Sequence, residues 1–422
     1  MPREQAMWYS LDNAAKIYPA VRSIEISGMF RITAIMKATV DPDCLQIALE
    51  KALERFPVFG MTLKKGLFWY YLEKNFRKPR VYPDNTYPCS KLDVDANGGY
   101  LFRLSWYGRA INLECFHSLT DGTGALAFLQ YVVRTYLVLA GTGIAPDGSA
   151  PSARETEDSF LRYYDRKTAK SDNGSAAFHL KAPLMDPYAV AVTHGKMPLD
   201  ALKKLASEKG VTLTVYLAAL ILYAVYTSPY IGNYGDLQKK PLKIAIPVNL
   251  RRIFPSQTLR NFTAVINAEV KVGGGATLDD FIARIAAQTK QKVNRDYLLS
   301  LFSFNVGGER NPVFKFVPRV IKNMALRLSY NLLGERLYTT EFSNLGIVEA
   351  GEDLSPFVEG FTFLISPSAK TPLMATACSY HGTFTLSFNR RFYGPEIEQF
   401  VFSHLAAQGV PVTVFSNGGD AT

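Results

Sequence analysis

The amino-acid sequence predicts an α/β protein of the layered α+β type, with two similar halves that each form a mixed β-sheet flanked by helices. Its 422 residues are too many for one ordinary core and suit two domains of roughly 200 residues each. Residues 111–122 (INLECFHSLTDG) and 383–394 (TFTLSFNRRFYG) are similar strand-and-turn segments, each followed by a helix signal. Internal repetition of this kind indicates a repeated fold unit. Two such domains leave a cleft between them.

The first half of the sequence alternates strand and helix signals. Apolar residues recur at helical spacing in residues 43–55, and Tyr107-Gly108-Arg109 is typical of a hairpin turn. Residues 124–139 are apolar on most faces, which indicates a buried helix. The predicted elements are a strand at 29–40, a helix at 43–55, strands at 100–106 and 110–116, and a helix at 124–139.

The second half begins with the same order of signals. A strand is followed by a helix that ends before Gly210 and by a strongly apolar helix. The predicted elements are strands at 188–196, 242–248, 262–270 and 338–342, and helices at 200–208, 213–226, 278–293, 313–333 and 395–407. When Phe116 is aligned with Phe388, Asn389 takes the position of His117 and Tyr393 that of Asp121. The second half therefore repeats the scaffold without the same polar residues.

A linker is predicted between the halves. Residues 141–177 are rich in Gly, Pro, Ser, Asp and Arg and show little apolar periodicity. The sequence therefore predicts an N-terminal domain at 1–145, a linker at 146–180 and a C-terminal domain at 181–422.

The composition is that of a folded protein, with 48% hydrophobic and 20% charged residues. The formal charge of +10 favours anionic partners such as nucleic acid, anionic lipid or a phosphate-bearing cofactor. A mildly basic solvated surface explains the charge equally well. Because no long Lys/Arg tract or nucleic-acid motif is present, no nucleic-acid partner is expected.

The sequence carries no targeting or metal-binding signal. Residues 1–5 lack the pattern of a signal peptide, and no run approaches the roughly 18 apolar residues of a membrane span. We therefore expect a cytoplasmic protein without stable membrane insertion. Cys44, Cys89, Cys115 and Cys378 form no CxxC pair, so we expect core thiols rather than disulfides, and no metal.

His117 is the candidate general base. Strand alternation places Ile111, Leu113, Cys115 and His117 on one face, so the imidazole continues an apolar row at the end of a strand. Partial burial keeps a histidine neutral at physiological pH, as a general base requires. A core histidine with satisfied hydrogen bonds is the alternative.

Asp121 and Gly122 follow four and five residues after His117. Gly122 and Gly124 allow tight backbone and close ligand approach before the helix begins. Asp121 is expected to cap that helix, or to pair with an arginine and hold the loop that aims His117. The two roles are compatible.

With these residues the sequence resembles the superfamily of chloramphenicol acetyltransferases, alcohol acetyltransferases, polyketide-associated acyltransferases and peptide-synthetase condensation domains, through its HxxxDG motif and over nearly the whole chain. The other segments that carry the resemblance are 40–45, 55–59, 212–220, 247–252 and 261–262.

The resemblance implies a pseudo-dimer of two similar domains with His117 in the channel between them. It implies a transferase of acetyl or short to medium acyl groups. His117 would take a proton from an alcohol or, less expected, an amine acceptor, small or lipid-like, which attacks an acyl-coenzyme A thioester without an acyl-enzyme. Asp121 would be structural and paired with Arg251. Ser343 or Asn344 would stabilise the oxyanion; a plain strand-ending turn is the alternative there.

Two departures from the pattern of this superfamily narrow the predicted function. Phe116 stands where peptide condensation domains usually carry a second His, and the Asp-Phe-Gly-Trp-Gly signature of plant acyltransferases is absent. One alternative is an enzyme that takes its acyl group from an acyl carrier protein. Another is a catalytically silent binding protein on the same scaffold, against which the intact His117, Asp121 and Gly122 argue.

Residues 309–334 are both basic and apolar, and three interpretations are open. The segment holds coenzyme A phosphates, contacts an anionic membrane where a lipid acceptor resides, or is a helix with a solvated basic face. Its basic residues are Arg310, Lys315, Arg319, Lys322 and Arg327.

Overall fold

The computed structural model describes residues 8–169, 174–232, 234–310, 314 and 316–417. Three parts of the sequence predictions lie outside the described residues. They are the N-terminal residues 1–5 that bear on targeting, positions 170–173 of the linker, and positions 311–313 and 315 of the basic segment.

The strands are β1 (Trp8–Ser10), β2 (Met29–Met36), β3 (Met61–Lys65), β4 (Tyr70–Lys74), β5 (Val81–Pro83), β6 (Phe102–Tyr107), β7 (Ala110–Phe116), β8 (Ala191–Pro198), β9 (Leu242–Asn249), β10 (Thr263–Val270), β11 (Thr340–Ile347), β12 (Val358–Ile365), β13 (Leu373–Tyr380), β14 (Thr383–Arg390) and β15 (Thr413–Ser416). They form a five-stranded sheet (β12-β2-β7-β6-β5), a seven-stranded sheet (β10-β9-β11-β13-β14-β8-β15) and a small sheet (β1-β4-β3). The two large sheets are mixed.

The helices are α1 (Ile17–Val21), α2 (Pro42–Arg55), α3 (Gly122–Leu139), α4 (Ser159–Tyr163), α5 (Leu199–Glu208), α6 (Leu213–Thr227), α7 (Tyr234–Lys239), α8 (Leu278–Lys292), α9 (Arg295–Arg310), α10 (Arg319–Leu333) and α11 (Glu396–Ala407). Helix α2 begins where Asp41 accepts hydrogen bonds from the amides of Asp43 and Cys44. Helix α6 is buried along most of its length because the second core surrounds it. The α/β fold class, with mixed sheets flanked by helices, is confirmed.

The two halves repeat one topology. The hairpin β6–β7 lies beside β2, which leads into α2, and the hairpin β13–β14 lies beside β8, which leads into α5. In both copies a helix follows the hairpin, α3 after β7 and α11 after β14. The predicted internal repeat is therefore a repeat of strand order as well as of sequence pattern.

One strand crosses between the halves. Strand β12 pairs antiparallel with β2 and so extends the sheet of the first half, although it belongs to the range 181–422. Its carbonyls at Phe361 and Ile365 accept hydrogen bonds from the Cys378 thiol (3.2 Å) and the Asn389 amide (3.0 Å) of the second sheet. The contiguous division into two domains does not anticipate this strand, because hydrophobic alternation does not report which sheet a strand joins.

Within the described residues, no single helix is both long and apolar enough to cross a bilayer. Helices α5 and α6 reach that length and composition only when taken together across an 82° bend.

The predicted linker region contains an exposed part and an anchored part. Residues 141–151 are mostly exposed and form no regular element. Farther along, Glu155 receives two hydrogen bonds from Arg55 (2.8 and 2.7 Å), and its carbonyl accepts one from the Leu259 amide (2.8 Å). Phe160 is buried in the second core. The region after residue 151 is thus held by both halves.

Limited proteolysis is expected to cut the folded protein first within residues 141–151, since exposed segments without regular structure are cleaved before packed ones. This segment contains no Lys or Arg, so a protease of broad specificity such as subtilisin is the reagent, with the first cut mapped by mass spectrometry of the fragments. An initial cut within residues 152–163 would contradict the anchoring described above.

Candidate active site

Strand β7 delivers His117 to the boundary between the halves. The strand is buried along almost its whole length, and its pairing with β2 extends one residue further, since the His117 amide donates to the Gly28 carbonyl at 2.9 Å. Gly28 has a φ of +65°, and an added Cβ would lie 3.0 Å from the Phe116 ring. Both the backbone conformation and the close approach therefore require glycine at this bend.

Two aromatic rings enclose the His117 imidazole. Tyr18 stacks on it with ring centroids 4.8 Å apart and an interplanar angle of 6°, and Phe30 lies 4.7 Å away at 53°. Burial lowers the pKa of His117 below its usual value, although the hydrogen bond with Asn261 and the charge of Asp121 raise it. The imidazole is therefore neutral at physiological pH.

The hydrogen bonds of Asn261 define the tautomer of His117. The Asn261 side-chain nitrogen donates to the His117 carbonyl (3.0 Å) and to an Asp12 carboxylate oxygen (3.3 Å). Its side-chain oxygen therefore faces His117 Nδ1, at 3.3 Å, and can only accept. Nδ1 carries the proton, and Nε2 is left as the basic nitrogen of the ring.

Asp12 supports this arrangement by accepting a hydrogen bond from Asn261. It is fully buried, lies 3.6 Å from the Arg260 guanidinium and accepts a hydrogen bond from the Ala15 amide at 2.8 Å. Burial raises the pKa of Asp12 and the Arg260 charge opposes that rise. Asp12 and Asn261 were not among the sequence-predicted site residues. Asn261 lies in a segment that carries the family resemblance, whereas Asp12 gives no sequence signal.

The Asp121 carboxylate accepts five hydrogen bonds, and four of them join it to the second half. One oxygen caps α3 by accepting from the Gly124 amide (3.2 Å), and the carboxylate also accepts from the Phe262 amide (2.9 Å) and the Thr263 hydroxyl (3.1 Å). The Arg251 guanidinium adds two bonds, of 2.8 and 3.1 Å. The cap and the ion pair proposed from the sequence occur together on one carboxylate.

The pKa of Asp121 reflects this balance. Burial alone would raise it, but the Arg251 charge and the hydrogen bonds outweigh burial, and the pKa lies below its usual value. Arg251 also donates to the carbonyls of Thr258 (2.9 Å) and Arg260 (2.6 Å). The ion pair is thus nearly buried and has its hydrogen bonds satisfied, the condition under which such a pair is tolerated.

The motif glycines permit close packing between the halves. A Cβ on Gly122 would lie 2.5 Å from the Leu345 side chain, and one on Gly124 would lie 2.1 Å from the Leu259 carbonyl oxygen. Neither distance leaves room for a methyl group. Gly122 therefore permits the contact between α3 and β11, and it also lines the cavity of His117.

Ser343 and Asn344, the oxyanion candidates, both line the same cavity as His117. The Asn344 amide is already engaged at both ends, with the Thr214 hydroxyl (3.3 Å) and the Gly346 amide (2.9 Å). Ser343 makes no side-chain hydrogen bond to the described residues. Of the two, Ser343 has the hydroxyl available for a ligand.

The cavity that contains His117 has a volume of about 560 Å³, within the range of small-molecule sites. No Lys or Arg occurs among the described residues that line it, whereas Asp121, Glu335 and Glu341 do. Burial raises the pKa of Glu341 to about 7 and also raises that of Glu335. Aromatic rings form much of the remaining wall: Tyr18, Phe30, Phe304, Tyr330, Tyr338 and Phe363.

A second, larger cleft of about 1310 Å³ has the opposite electrostatic character. Its basic lining residues are Arg22, Lys64, Lys65, Arg77 and Lys91, against the acidic residues Asp93 and Asp95. The Arg22 guanidinium lies 5.1 Å from the ring centroid of Phe116, the residue before His117. The basic cleft therefore reaches the strand that carries the candidate base.

The basic segment 309–334 differs from the solvated basic helix considered above. In α10, Lys322 is buried with its ammonium 3.9 Å from the Trp69 ring centroid, and Arg319 donates to the Gly66 carbonyl at 2.9 Å. Arg327 likewise donates to the Ala20 carbonyl. Apolar side chains of the helix face solvent instead: Val320, Ile321, Met324 and Leu328 are each more than half exposed. The interpretation as a solvated basic face therefore does not hold for Lys322 and Arg319, which contact rings and carbonyls of residues 66–70, whereas Arg310 and Arg327 are exposed.

Comparisons with known proteins identify the fold. No protein-family model matches the sequence, and no curated protein matches it significantly. Polyketide synthase associated protein 5 from Mycobacterium tuberculosis is similar in structure, with a TM-score of 0.59 at 15% identity over 94% of this chain and 96% of that chain. A trichothecene 15-O-acetyltransferase from Fusarium sporotrichioides gives 0.60 at 12% identity over 96% and 94%.

A third similar structure is the starter condensation domain of rhizomide synthetase in complex with C8-CoA, with a TM-score of 0.58 at 14% identity over 96% of this chain and 95% of that chain. The chain thus has the two-domain fold shared by these three proteins. The resemblance inferred from the sequence is confirmed at the level of the fold.

Asp121→Asn is expected to lower the free energy of unfolding by about 3 to 5 kcal/mol, since it leaves the nearly buried Arg251 charge uncompensated. Because the pKa of Asp121 is lowered in the folded state, its stabilisation is present above the ordinary carboxyl pKa of 3.8 and is lost as pH falls below it. Urea unfolding at pH 7 measures the loss. Asp41→Asn is the matched control: it caps α2 at an exposed site, where Asn caps equally well. Equal stability of the two variants would contradict a structural ion pair.

Proposed function

We propose that the protein transfers an acyl group from a coenzyme A thioester to a hydroxyl or amine acceptor, with His117 as general base. The observation that carries this proposal is the His117 imidazole itself. It is neutral, its tautomer is defined by Asn261, and it lies in a cavity lined by residues of both halves. These are the requirements for a base that accepts one proton from a bound acceptor.

The proposed reaction has two steps. As the acceptor hydroxyl attacks the thioester carbonyl, Nε2 of His117 takes its proton and the carbonyl oxygen becomes an oxyanion that the Ser343 hydroxyl stabilises. The tetrahedral intermediate then collapses, the carbon–sulfur bond breaks, and the leaving thiolate receives the proton from the imidazolium. The products are the acylated acceptor and free coenzyme A.

Direct transfer is favoured over an acyl-enzyme. Within the described residues, the side-chain hydrogen bond of His117 goes to Asn261 and not to a Ser or Cys hydroxyl or thiol. A covalent mechanism needs a nucleophile in hydrogen-bond contact with its base. Burial also raises the pKa of the Cys115 and Cys378 thiols well above their usual value, so these thiols are poor nucleophiles.

Coenzyme A is proposed as the donor because of the basic cleft. Its five Lys and Arg side chains offer charge-assisted hydrogen bonds to phosphates, next to the strand that ends at His117. The similar condensation domain was solved with C8-CoA, and the similar trichothecene enzyme is an O-acetyltransferase. We therefore propose acetyl or a short to medium acyl group, and an alcohol rather than an amine as acceptor. Acyl carrier protein is the alternative donor, since condensation domains share the fold.

His117→Ala is expected to lower kcat by about a hundredfold to ten-thousandfold with little change in the melting temperature, since only the proton acceptor is removed. In the wild type, kcat/KM should rise with pH through the lowered pKa of His117, below 6.5, and then level off, because the neutral imidazole is the active form. Both kcat and kcat/KM are measured from the release of free thiol from acetyl-CoA in the presence of candidate alcohols. Wild-type turnover in His117→Ala would contradict the proposed role of His117 as general base.

The double variant Lys64→Ala/Lys65→Ala is expected to raise KM for acetyl-CoA by about tenfold or more, since a charge-assisted hydrogen bond contributes about 1.5 to 3 kcal/mol. KM for acetyl-N-acetylcysteamine, a thioester without phosphates, should not change. The double variant Lys203→Ala/Lys204→Ala, on the exposed side of α5, is the control for net charge. Activity with an acyl carrier protein and none with acetyl-CoA would instead favour the carrier-dependent enzyme.

A further inference from the structure

Glu341 brings a carboxylate without a counter-charge into the cavity of His117. It lies on β11, its side chain is largely withdrawn from solvent, and it makes no ion pair or side-chain hydrogen bond with the described residues. A desolvated carboxylate without a partner is unfavourable. Such a carboxylate destabilises the folded protein unless a ligand supplies the missing positive charge.

The other acidic residues of the cavity have partners. Asp121 is paired with Arg251, and the Ser368 and Tyr330 side chains and the charge of Lys370 oppose the rise that burial causes in the pKa of Glu335. Because no Lys or Arg occurs among the described lining residues, the charge of Glu341 remains uncompensated within the described part of the cavity.

Aromatic rings line the same cavity as the Glu341 carboxylate, among them Tyr18 and Tyr338. Burial and the charge of Glu341 both raise the pKa of these two tyrosines. Tyr18 is also the ring that stacks on His117 at 4.8 Å. A carboxylate and aromatic rings that line one largely desolvated cavity are the features that bind organic cations.

The position of Glu341 along β11 sets the size of the ligand. Glu341 and Ser343 are two residues apart and share one face of the strand, which separates their Cα atoms by roughly 7 Å. A cation held at Glu341 would therefore lie within a few bonds of a hydroxyl group that reacts near Ser343 and His117.

We propose that the acceptor is a cationic alcohol, whose ammonium or quaternary nitrogen is bound by Glu341 while its hydroxyl group faces His117. This inference rests on the proposed function, which it deepens by naming the acceptor class. The charged nitrogen is not the nucleophile, since a protonated or quaternary amine has no free electron pair. A cavity of this charge also disfavours the phosphates of the donor, which the basic cleft accommodates.

Two isosteric pairs of alcohols test the proposal. Choline and 3,3-dimethylbutan-1-ol differ only in the exchange of a quaternary nitrogen for carbon, and tyramine and 4-propylphenol form a longer pair with a terminal ammonium. Binding is measured by calorimetry at pH 8, where the Glu341 carboxylate is ionised, and without an acyl donor. The wild-type protein is expected to bind a cationic member at least tenfold more tightly than its neutral counterpart.

Glu341→Gln is expected to abolish this preference while the melting temperature stays equal or rises, because the variant removes an uncompensated desolvated charge. Glu349→Gln, which makes the same charge change at an exposed position, should keep the preference. Equal or absent binding of both members of each pair by the wild type would overturn the proposal, as would a preference that survives in Glu341→Gln. Cation-selective binding without acetyl transfer to any of the four alcohols would instead count against the proposed function and leave the cation site intact.

Discussion

The ion pair between Asp121 and Arg251 is the contact on which the candidate site depends. Asp121 ends the loop after His117 and begins α3, while Arg251 follows β9 in the other half, so one carboxylate holds the loop, the helix start and the interface. The short approach of Gly122 to Leu345 and of Gly124 to Leu259 is possible only while the two halves stay in this register. Breaking the ion pair would therefore loosen the cavity wall and change the orientation of His117 at the same time, since a closely packed interface has few intermediate arrangements.

Local sequence patterns predicted the elements well but not the contacts between distant parts. The helix predicted at 43–55 is Pro42–Arg55, and the hairpin that delivers His117 lies where predicted. Asn261 and Asp12 were missed as site residues because Asn261 lies 144 residues from His117 and 249 from Asp12, and periodicity carries no information at that range. The sequence left the role of helix α10 open for a related reason: amphipathic spacing reveals two faces but not which one turns inward. Arg319 and Lys322 lie on the inward side because the backbone carbonyls and rings of residues 66–70 receive them.

Two cavities of opposite charge explain how a protein with a net charge of +10 can hold an acidic site. The excess of basic residues suggested an anionic partner, and the cleft beside Phe116 gathers five of those basic side chains. The cavity of His117 is acidic and aromatic instead. In the proposed acyl transfer the donor carries phosphates and the acceptor need not. Two cavities of opposite charge would therefore each favour a different substrate. Net charge alone does not reveal this separation, since it sums over both cavities.

The repeated half supports the site although it lacks a base of its own. Asn389, at the position equivalent to His117, is buried and donates to the Ile365 carbonyl of the strand shared with the first sheet. Two residues later, Arg391 forms an ion pair with Glu25, which precedes the stretch Ile26–Gly28 that lines the His117 cavity. Each copy of the turn thus sends one charged group across the interface, Asp121 from the first half and Arg391 from the second, with opposite signs. Both turns therefore hold parts of the wall of one cavity, Asp121 directly and Arg391 through Glu25, which adjoins Ile26.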